Sequence, residues 1–312
     1  MRVLELFSGI GAVSAALGEH ATVVGAVDQH AAANAVYLHN WGRAPEVWNL
    51  AGVKAAQLAK FDAELWWMSP PCQPFTIRGL QRDMDDPRCA ALLRVLELVR
   101  AILPPRIALE NVPGFMDSSM RLYLRTTLGE CGYSVEERLL CPTELGVPMR
   151  RRRYYLCAWR GVDVFGDLSG GMRGIFAESD ADGPALAARS LSSFLDASPD
   201  PALYLDPDRI RGFGHSANVL AVGPESEGGI ATCFTSAYGR SPVRAGSYLR
   251  DAGGIRRFSP AEVLRLLGFP SEFVFPVGLD TARRWELAGN SLSVDAVRAV
   301  LSRHLPALVA NA

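Results

Sequence analysis

Lysine is nearly absent from this 312-residue sequence, in which only Lys54 and Lys60 occur. The other 30 of its 32 cationic residues are arginine, and 33 acidic residues bring the net charge to −1. A total charge near zero argues against a protein that coats nucleic acid indiscriminately. The excess of arginine is consistent with bidentate contacts to phosphates, or with the base composition of the genome, and both explanations remain open.

Long hydrophobic runs and patterned cysteines are missing as well. No stretch approaches the roughly 18 uncharged apolar residues of a membrane span, and Met1-Arg2 leads into a strand-like segment instead of a signal peptide. The six cysteines have neither metal-site nor disulfide-framework spacing, so we expect a reduced, cytoplasmic protein without a metal site. With 49% apolar and 21% charged residues, the composition excludes disordered, collagen-like and coiled-coil proteins.

Strand and helix signals alternate through the first 160 residues. The predicted strands are 3–7, 22–27, 65–68, 106–109, 135–140 and 154–159, and the predicted helices between them are 12–17, 31–37, 90–103 and 120–129. This alternation predicts an α/β fold with a mostly parallel sheet, covered on both faces by helices. Helical patterning returns at 260–267 and 292–305.

The composition changes between these two parts. Residues 161–208 contain nine acids and two arginines, whereas residues 209–260 contain seven arginines and three acids. We therefore predict one α/β domain, residues 1–160 plus 258–312, interrupted by a smaller domain at 161–257.

The turn after the first strand predicts a nucleotide-type site. Phe7-Ser8-Gly9-Ile10-Gly11 joins a strand to a helix at the carboxyl edge of the sheet, but it lacks the third glycine of the dinucleotide fingerprint. Asp28 ends the next strand and suits two ribose hydroxyls, so a ligand with a ribose and no pyrophosphate is favoured. Asn49-Leu50 is a candidate edge for an adenine. A packing turn and a plain loop are the simpler alternatives.

The segment Ser69-Pro70-Pro71-Cys72-Gln73 is the most informative in the chain. Two prolines stiffen the end of a strand and hold Cys72, a nucleophile, in the crevice where such sheets bind ligands. A thiolate that adds to carbon-6 of cytosine makes carbon-5 nucleophilic enough to accept a methyl group. The addition needs a proton at N3, which Glu110 can supply if burial raises its pKa. A buried structural cysteine and a helix-capping glutamate are the alternatives.

Taken in order, the motifs resemble those of the cytosine carbon-5 methyltransferase family. They are Glu5-Leu6-Phe7-Ser8-Gly9-Ile10-Gly11, Ser69-Pro70-Pro71-Cys72-Gln73-Pro74-Phe75, Glu110-Asn111-Val112, Arg151-Arg152-Arg153-Tyr154 and Ala288-Gly289-Asn290-Ser291-Leu292. The resemblance implies a Rossmann-like S-adenosylmethionine-dependent methyltransferase domain with an inserted target-recognition domain. The cofactor-binding residues that it implies are Phe7, Ser8, Gly9, Ile10, Gly11, Ala12, Asp28, Asn49, Leu50, Ser69, Asn290 and Ser291. The implied catalytic residues are Cys72, Glu110, Arg151 and Arg153.

The arginine motif departs from the family pattern in one position. Where the family usually has glutamine or asparagine, this chain has Met149, which removes an amide hydrogen bond. Arg151 and Arg153 match the arginines that the family places at the flipped base and its phosphates. The two additional arginines, Arg150 and Arg152, add charge or belong to a solvated turn.

Other stretches resemble the branch of the family that methylates transfer RNA. They are Pro74-Phe75-Thr76, residues 83–88, Cys233-Phe234-Thr235 with Tyr238-Gly239, and residues 266–276. This resemblance implies cytosine 38 in the anticodon loop of an aspartate-type tRNA as the substrate, and a loop base is already unpaired, which lowers the cost of extruding it. The implied substrate-binding residues are Gln73, Cys233, Phe234, Thr235 and Tyr238, with a buried strand cysteine as the simpler interpretation of Cys233.

Two other functions remain open at this point, a DNA cytosine-C5 methyltransferase of a modification system and an inactive nucleic-acid-binding protein. In the first, the inserted domain reads a short duplex site in the major groove. We expect a monomer that binds neither a membrane nor a metal.

Overall fold

A computed structural model describes residues 1–75, 83–161, 188–206, 208, 217–222, 229–241 and 243–305. Thr76, Arg209 and most of the predicted acidic segment lie outside these residues. Among the helices that are described, none is a candidate for a membrane span. Across the same residues, no three His, Cys, Asp or Glu side chains form a group that could hold a metal ion.

A six-stranded sheet forms the centre of the molecule. Its strands are β1 (Arg2–Leu6), β2 (Thr22–Val27), β3 (Leu65–Met68), β4 (Arg106–Asn111), β5 (Tyr133–Leu140) and β6 (Arg153–Arg160). Their order across the sheet is β2-β1-β3-β4-β6-β5, with β1 to β4 parallel and β6 antiparallel to both of its neighbours. The predicted α/β fold with a mostly parallel sheet is confirmed. The connection from β5 to β6 contains a 3-10 turn and no α-helix to carry a parallel crossover, which accounts for the reversal of β6.

Helices cover both faces of this sheet. The described helices are α1 (Ala12–Leu17), α2 (Ala31–Trp41), α3 (Ala55–Ala59), α4 (Ala90–Ile102), α5 (Ser119–Glu130), α6 (Pro260–Leu266), α7 (Thr281–Asn290) and α8 (Val294–Leu301). Side chains of α1, α2 and α8 pack with Val3 and Trp67 on one face, and those of α3, α4 and α5 pack with Leu4 and Trp66 on the other. The strands are apolar on both faces because both faces are buried.

The C-terminal helices differ from the predicted pattern. The sequence predicts one helix over 292–305, whereas the structure has α8 over Val294–Leu301 and a separate α7 before it. Each begins at its own capping side chain, since Asp280 accepts from the Arg283 N–H and Ser293 accepts from the Ala296 N–H. The short turn at Ser291 between the two helices lies at the cleft described below.

A second, three-stranded sheet lies in the part of the chain predicted as an insert. It consists of β7 (Asn218–Ala221), β8 (Ser247–Asp251) and β9 (Gly254–Arg257), in the order β7-β8-β9. The guanidinium of Arg256 on β9, only 2% exposed, pairs with the fully buried carboxylate of Glu262 on α6 at 2.8 and 2.9 Å. One hydrophobic cluster includes residues from α1 and from this region, so the second sheet is packed firmly against the core.

Candidate active site

The carboxyl ends of the parallel strands open into a cleft of about 760 Å³. Open α/β sheets bind ligands in this position, because the loops that follow parallel strands meet there. One end of the cleft, which we call the donor end, is lined by the turn after β1, by Asp28 and by Asn49-Leu50. The other end, the reactive end, is lined by Cys72, Glu110, Arg151 and Arg153. The two predicted sites are therefore two parts of one cavity.

At the donor end, the polar groups are held by the backbone. The carboxylate of Asp28 accepts hydrogen bonds from the Gly9 N–H and the His30 N–H, both at 2.8 Å, and each oxygen keeps a further lone pair. The Ser8 hydroxyl oxygen is buried and has no hydrogen-bond partner among the described residues. A buried polar atom without a protein partner is expected to bind a polar ligand group.

The walls of the donor end are apolar and suit a flat ring. Leu50 is 3% exposed and Ile10 is 2% exposed, and Trp48 lines the cleft beside them. The Asn49 side-chain oxygen accepts from the Ala51 N–H at 3.0 Å, which leaves its amide N–H groups for another acceptor. Together with the Asp28 carboxylate and the Ser8 hydroxyl, these residues fit an adenosine bearing a polar tail, as in S-adenosylmethionine.

Gly11 has a packing function in this turn. It does not line the cleft, and a Cβ at this position would lie 2.1 Å from Trp41 Nε1 on α2. The Trp41 indole donates to the Ile10 carbonyl at 3.2 Å, so the absence of a side chain at Gly11 lets α2 approach the turn. The structure therefore gives Gly11 a packing role, and its contact with the cofactor stays a prediction.

A buried carboxyl lies directly beneath the donor end. Glu5 is fully buried and accepts from the Ser14 N–H at 2.9 Å, from the Ser14 hydroxyl at 3.0 Å and from the Tyr37 hydroxyl. Burial raises the pKa of Glu5 to about 7, although these hydrogen bonds lower it. The sequence shows Glu5 as part of a motif but gives no sign of this network.

The reactive loop is fixed to the neighbouring strand end. The Asn111 side chain at the end of β4 donates to the Pro70 carbonyl at 3.2 Å, and the Phe75 N–H donates to the Cys72 carbonyl at 3.0 Å. A Cβ on Gly114 would lie 2.3 Å from the Phe75 carbonyl oxygen, so this turn approaches the loop closely only because it has no side chain. Cys72 is consequently held half-buried at the cleft surface.

Four ionisable groups share the reactive end. Glu110 is 7% exposed, and its Oε1 lies 3.3 Å from Arg153 Nε. Burial raises the pKa of Glu110 against the opposing charges of Arg153 and Arg151, which confirms the predicted direction. Burial also raises the pKa of the Cys72 thiol, and Glu110 adds to this effect while the two guanidiniums oppose it. Burial therefore shifts both the thiol and the carboxyl toward their neutral forms.

Arg151 ties together three segments of the chain. Its guanidinium, 4% exposed, donates to the Phe234 carbonyl at 2.8 Å, to the Gly289 carbonyl at 3.1 Å and to the Ser291 carbonyl. These bonds join the segment just before β6 to the chain between β7 and β8 and to the end of α7. Arg151 thus positions the C-terminal wall of the cleft, whereas Arg153 is the arginine that lies against Glu110.

A second thiol contacts both arginines. Cys233 Sγ lies 3.4 Å from an Arg151 nitrogen and 3.6 Å from an Arg153 nitrogen. Burial raises the pKa of Cys233, but the charges and hydrogen bonds of the two arginines outweigh it and the pKa is lowered. Cys233 is therefore joined to the reactive end through the arginines.

The same set of motifs is found in a known family. The sequence family described as C-5 cytosine-specific DNA methylase matches residues 1–165 and 224–305 of this chain. The chain belongs to this family. The expected membership in the cytosine carbon-5 methyltransferases, and with it the expected methyltransferase fold and activity class, is confirmed.

Individual members of the methylase family resemble the whole chain. A tRNA (cytosine(38)-C(5))-methyltransferase of Schizosaccharomyces pombe is 32% identical over 324 residues, 97% of this chain and 96% of its own. A crystal structure of the S. pombe Dnmt2 methyltransferase matches with a TM-score of 0.83 and 30% identity over 99% of both chains. A DNA (cytosine-5)-methyltransferase of Dictyostelium discoideum is 28% identical over 362 residues, 96% of this chain and 93% of its own.

Most of the residues expected to form this methylase site line the one cleft. They are Phe7, Ser8, Gly9, Ile10, Ala12, Asp28, Asn49, Leu50, Ser69, Cys72, Gln73, Glu110, Arg151, Arg153, Asn290 and Ser291. Thr235 does not line it, and Phe234 and Tyr238 are each 1% exposed. The Tyr238 hydroxyl donates to the Ser247 carbonyl and accepts from the Phe258 N–H. The rings of Phe234 and Tyr238 therefore pack in the core, and the substrate contacts expected of these two residues and of Thr235 stay predictions.

Sequence reasoning missed Arg88. This side chain lines the reactive end, where the carboxylate of Asp86, 4% exposed, holds it through two hydrogen bonds of 2.8 and 2.6 Å. Asp86 also caps the short turn that begins at Pro87. The Asp-Pro-Arg sequence was the available signal, since a capping acid two residues before an arginine places the two side chains together.

Proposed function

We propose that this methyltransferase transfers a methyl group from S-adenosylmethionine to carbon-5 of cytosine 38 in the anticodon loop of an aspartate-type tRNA. The observation that carries the proposal is the single cleft, in which a ribose-type donor site adjoins a half-buried cysteine with Glu110 and Arg153 beside it. A cytoplasmic location, a monomeric state and a substrate domain at 161–257 are part of the same proposal.

The donor end would hold the cofactor. Asp28 would accept from the ribose hydroxyls, Leu50 would face the adenine, and the Ser8 hydroxyl would bond the polar tail. S-adenosylmethionine supplies an electrophilic methyl group when it is bound there. Asn290 and Ser291 close this part of the cleft, and Arg151 fixes them through the Gly289 and Ser291 carbonyls.

At the reactive end, Cys72 and Glu110 each give up a proton, but to different acceptors. Cys72 loses its proton to water and its Sγ forms a bond to carbon-6, while N3 of the ring takes the proton of Glu110. Carbon-5 of the resulting enamine would then take the methyl group from the bound donor, whose methyl–sulfur bond breaks so that the donor leaves as a neutral thioether. A base, for which a water suffices, removes the carbon-5 proton; the C5–C6 double bond forms again, the Cys72–C6 bond breaks, and N3 returns its proton to Glu110.

The raised pKa of Glu110 supports this assignment, because the carboxyl must carry a proton when the thiolate adds. Arg153 supports the opposite requirement at Cys72, since its charge lowers the pKa of a thiol that burial raises. The Arg153 guanidinium therefore limits the rise in pKa that burial causes at both Cys72 and Glu110. Arg153 also has donors to bind the flipped base.

Transfer RNA is favoured over DNA by similarity along the whole chain. The S. pombe relative named for cytosine 38 of tRNA is more similar to this chain than the D. discoideum relative named for DNA. A single-stranded loop base also needs less unstacking energy than a paired base, which saves part of the few kcal/mol of extrusion.

The substrate is tested by incubating the protein with labelled S-adenosylmethionine and either a transcript of an aspartate tRNA or a cytosine-rich DNA duplex. We expect label in the tRNA, its loss when cytosine 38 is replaced by uracil, and little label in DNA. Incorporation into DNA and not into tRNA would overturn the proposal and establish the DNA-modifying alternative. Absence of both, together with no adduct on a 5-fluorocytosine substrate, would leave the inactive binding protein.

A further inference from the structure

Arg150 and Arg152 are exposed and flank Arg151, which lines the cleft. Burial alternates along this segment, because Met149 is fully buried and Arg151 is 4% exposed while Arg150 and Arg152 lie in solvent. Neighbouring arginines in this segment therefore have different environments. Arg151 is used inside the molecule, and the charges of Arg150 and Arg152 remain outside it.

The segment lies on the side of the sheet from which a substrate must enter. β6 is antiparallel to β4, and Tyr154 near its start pairs with Asn111 at the carboxyl end of β4. Residues that precede β6 therefore continue past the carboxyl edge of the sheet, where the cleft opens. Two backbone hydrogen bonds hold the segment there, from the Arg150 N–H to the Ala231 carbonyl at 2.8 Å and from the Ala231 N–H to the Pro148 carbonyl at 2.9 Å.

The lack of acidic partners distinguishes these two arginines from the arginines of α4 and α5, all of which are ion-paired. Arg100 and Arg125, on α4 and α5, are ion-paired with Glu130 and Glu137. Throughout the described residues, neither Arg150 nor Arg152 has an ion pair with an acidic side chain. Two unpaired guanidiniums next to a nucleotide site favour an anionic partner that is not part of the chain.

We infer that Arg150 and Arg152 bind backbone phosphates of the RNA strand on either side of the target cytosine. This inference rests on the proposed tRNA activity and adds the contact that holds the loop over the cleft. Phosphate contacts position a strand without reading its bases, so the pair contributes to affinity and to its salt dependence. It has no part in the bond-forming steps.

The test compares the double variant Arg150→Gln/Arg152→Gln with the wild-type full chain on an aspartate tRNA transcript at several salt concentrations. We expect the KM for tRNA to rise roughly tenfold at moderate salt, with kcat and the Kd for S-adenosylmethionine nearly unchanged. The slope of log KM against log salt should fall by about 1.4, since each of the two phosphate contacts to single-stranded nucleic acid contributes about 0.7.

Two further variants keep the result specific. Arg150→Lys/Arg152→Lys retains the charges and should keep most of the salt slope. Arg100→Gln/Arg125→Gln removes the same number of charges from α4 and α5, away from the cleft, and should leave the slope unchanged. An unchanged slope in the cleft variant, or an equal fall in the control variant, would overturn the inference while wild-type methylation of tRNA leaves the proposed function standing. If the wild-type protein neither binds nor methylates tRNA, both are overturned.

Discussion

The two ends of the cleft treat charge in different ways. At the donor end, the Asp28 carboxylate is held by two backbone N–H groups and faces a cavity with apolar walls. At the reactive end, Cys72, Glu110, Arg151 and Arg153 lie together, and burial and mutual charge move their protonation equilibria. The donor end is thus built to bind a ligand of fixed charge, whereas the reactive end is built to move protons. Substitutions at the two ends should therefore change different measured quantities.

The largest effect is expected for Cys72→Ala. Removing the nucleophile should lower methyl transfer by at least about 10³-fold, because no other group can form the bond to carbon-6. The Kd for S-adenosylmethionine, measured by calorimetry, should stay within about twofold because the donor end is untouched. Cys131→Ala, at the end of α5, is the matched control and should keep full activity. Retained turnover in Cys72→Ala would disprove the role of Cys72.

Asp28→Ala should produce the reverse pattern. The loss of a charged acceptor for two hydroxyls, at about 1.5–3 kcal/mol for a charged hydrogen bond, should weaken cofactor binding by roughly 10- to 100-fold. At saturating cofactor, kcat should change little, because the reactive end keeps its four groups. The Kd of Asp28→Asn for the cofactor should lie between those of the wild type and Asp28→Ala, since the amide oxygen can still accept one backbone hydrogen bond. A loss of kcat with an unchanged Kd would contradict the division of the cleft into two ends.

Arg153→Gln should move the pH dependence. Its charge lowers the pKa of both Cys72 and Glu110, so its removal should raise both values. Both limbs of the pH profile of kcat/KM, which together report the thiol and the carboxyl, should therefore move to higher pH. At neutral pH we expect a loss of roughly 10- to 100-fold, measured by methyl transfer across a pH series.

Arg303→Gln is a control for this experiment, because Arg303 pairs with Glu136 away from the cleft. It should leave both limbs in place. A displacement of the limbs to lower pH in Arg153→Gln would contradict the electrostatic assignment.

The smallest effect on catalysis is expected at Met149. Its side chain is fully buried, so Met149→Gln places an amide in an apolar environment and should destabilise the protein by about 1–3 kcal/mol. Because Arg151 and Arg153 are anchored by other groups, the activity of the folded enzyme should fall by less than about fivefold. Thermal unfolding and turnover at a permissive temperature separate the two effects. Met149→Leu is the control and should cost less than about 1.5 kcal/mol. A gain of activity in Met149→Gln would show that the family amide was needed at this position.

Much of the central sheet was predictable because its strands are apolar on both faces and bounded by turn residues. β2 and β3 both have the predicted bounds. The short α3 and the amphipathic α7, whose buried face is small, gave too weak a pattern. The second sheet also escaped prediction, since its strands are short and two of them pair across a long separation in sequence.

The residues of the site were more predictable than their contacts. Cys72 and Glu110 could be placed at one cleft edge because the parallel strands β3 and β4 end on the same side. Arg153 lies there because it begins the antiparallel β6. Arg151 bonds to the carbonyls of Phe234 and Gly289, which are separated from it by 83 and 138 residues in the sequence. Such bonds depend on tertiary packing that no local sequence pattern encodes. For the same reason, Phe234 and Tyr238 could not be recognised as core residues from their motif alone.

The reach of Arg151 also has a consequence for biosynthesis. Chains emerge from the ribosome N-terminus first, so Cys72 and Glu110 are made long before Gly289 and Ser291. Until the last helices have been synthesised and have docked, the Arg151 guanidinium lacks two of its carbonyl acceptors, and the cleft lacks one wall. A nascent chain can thus display its nucleophile but cannot complete the enclosure around it. Catalytic competence arrives only with the final part of translation.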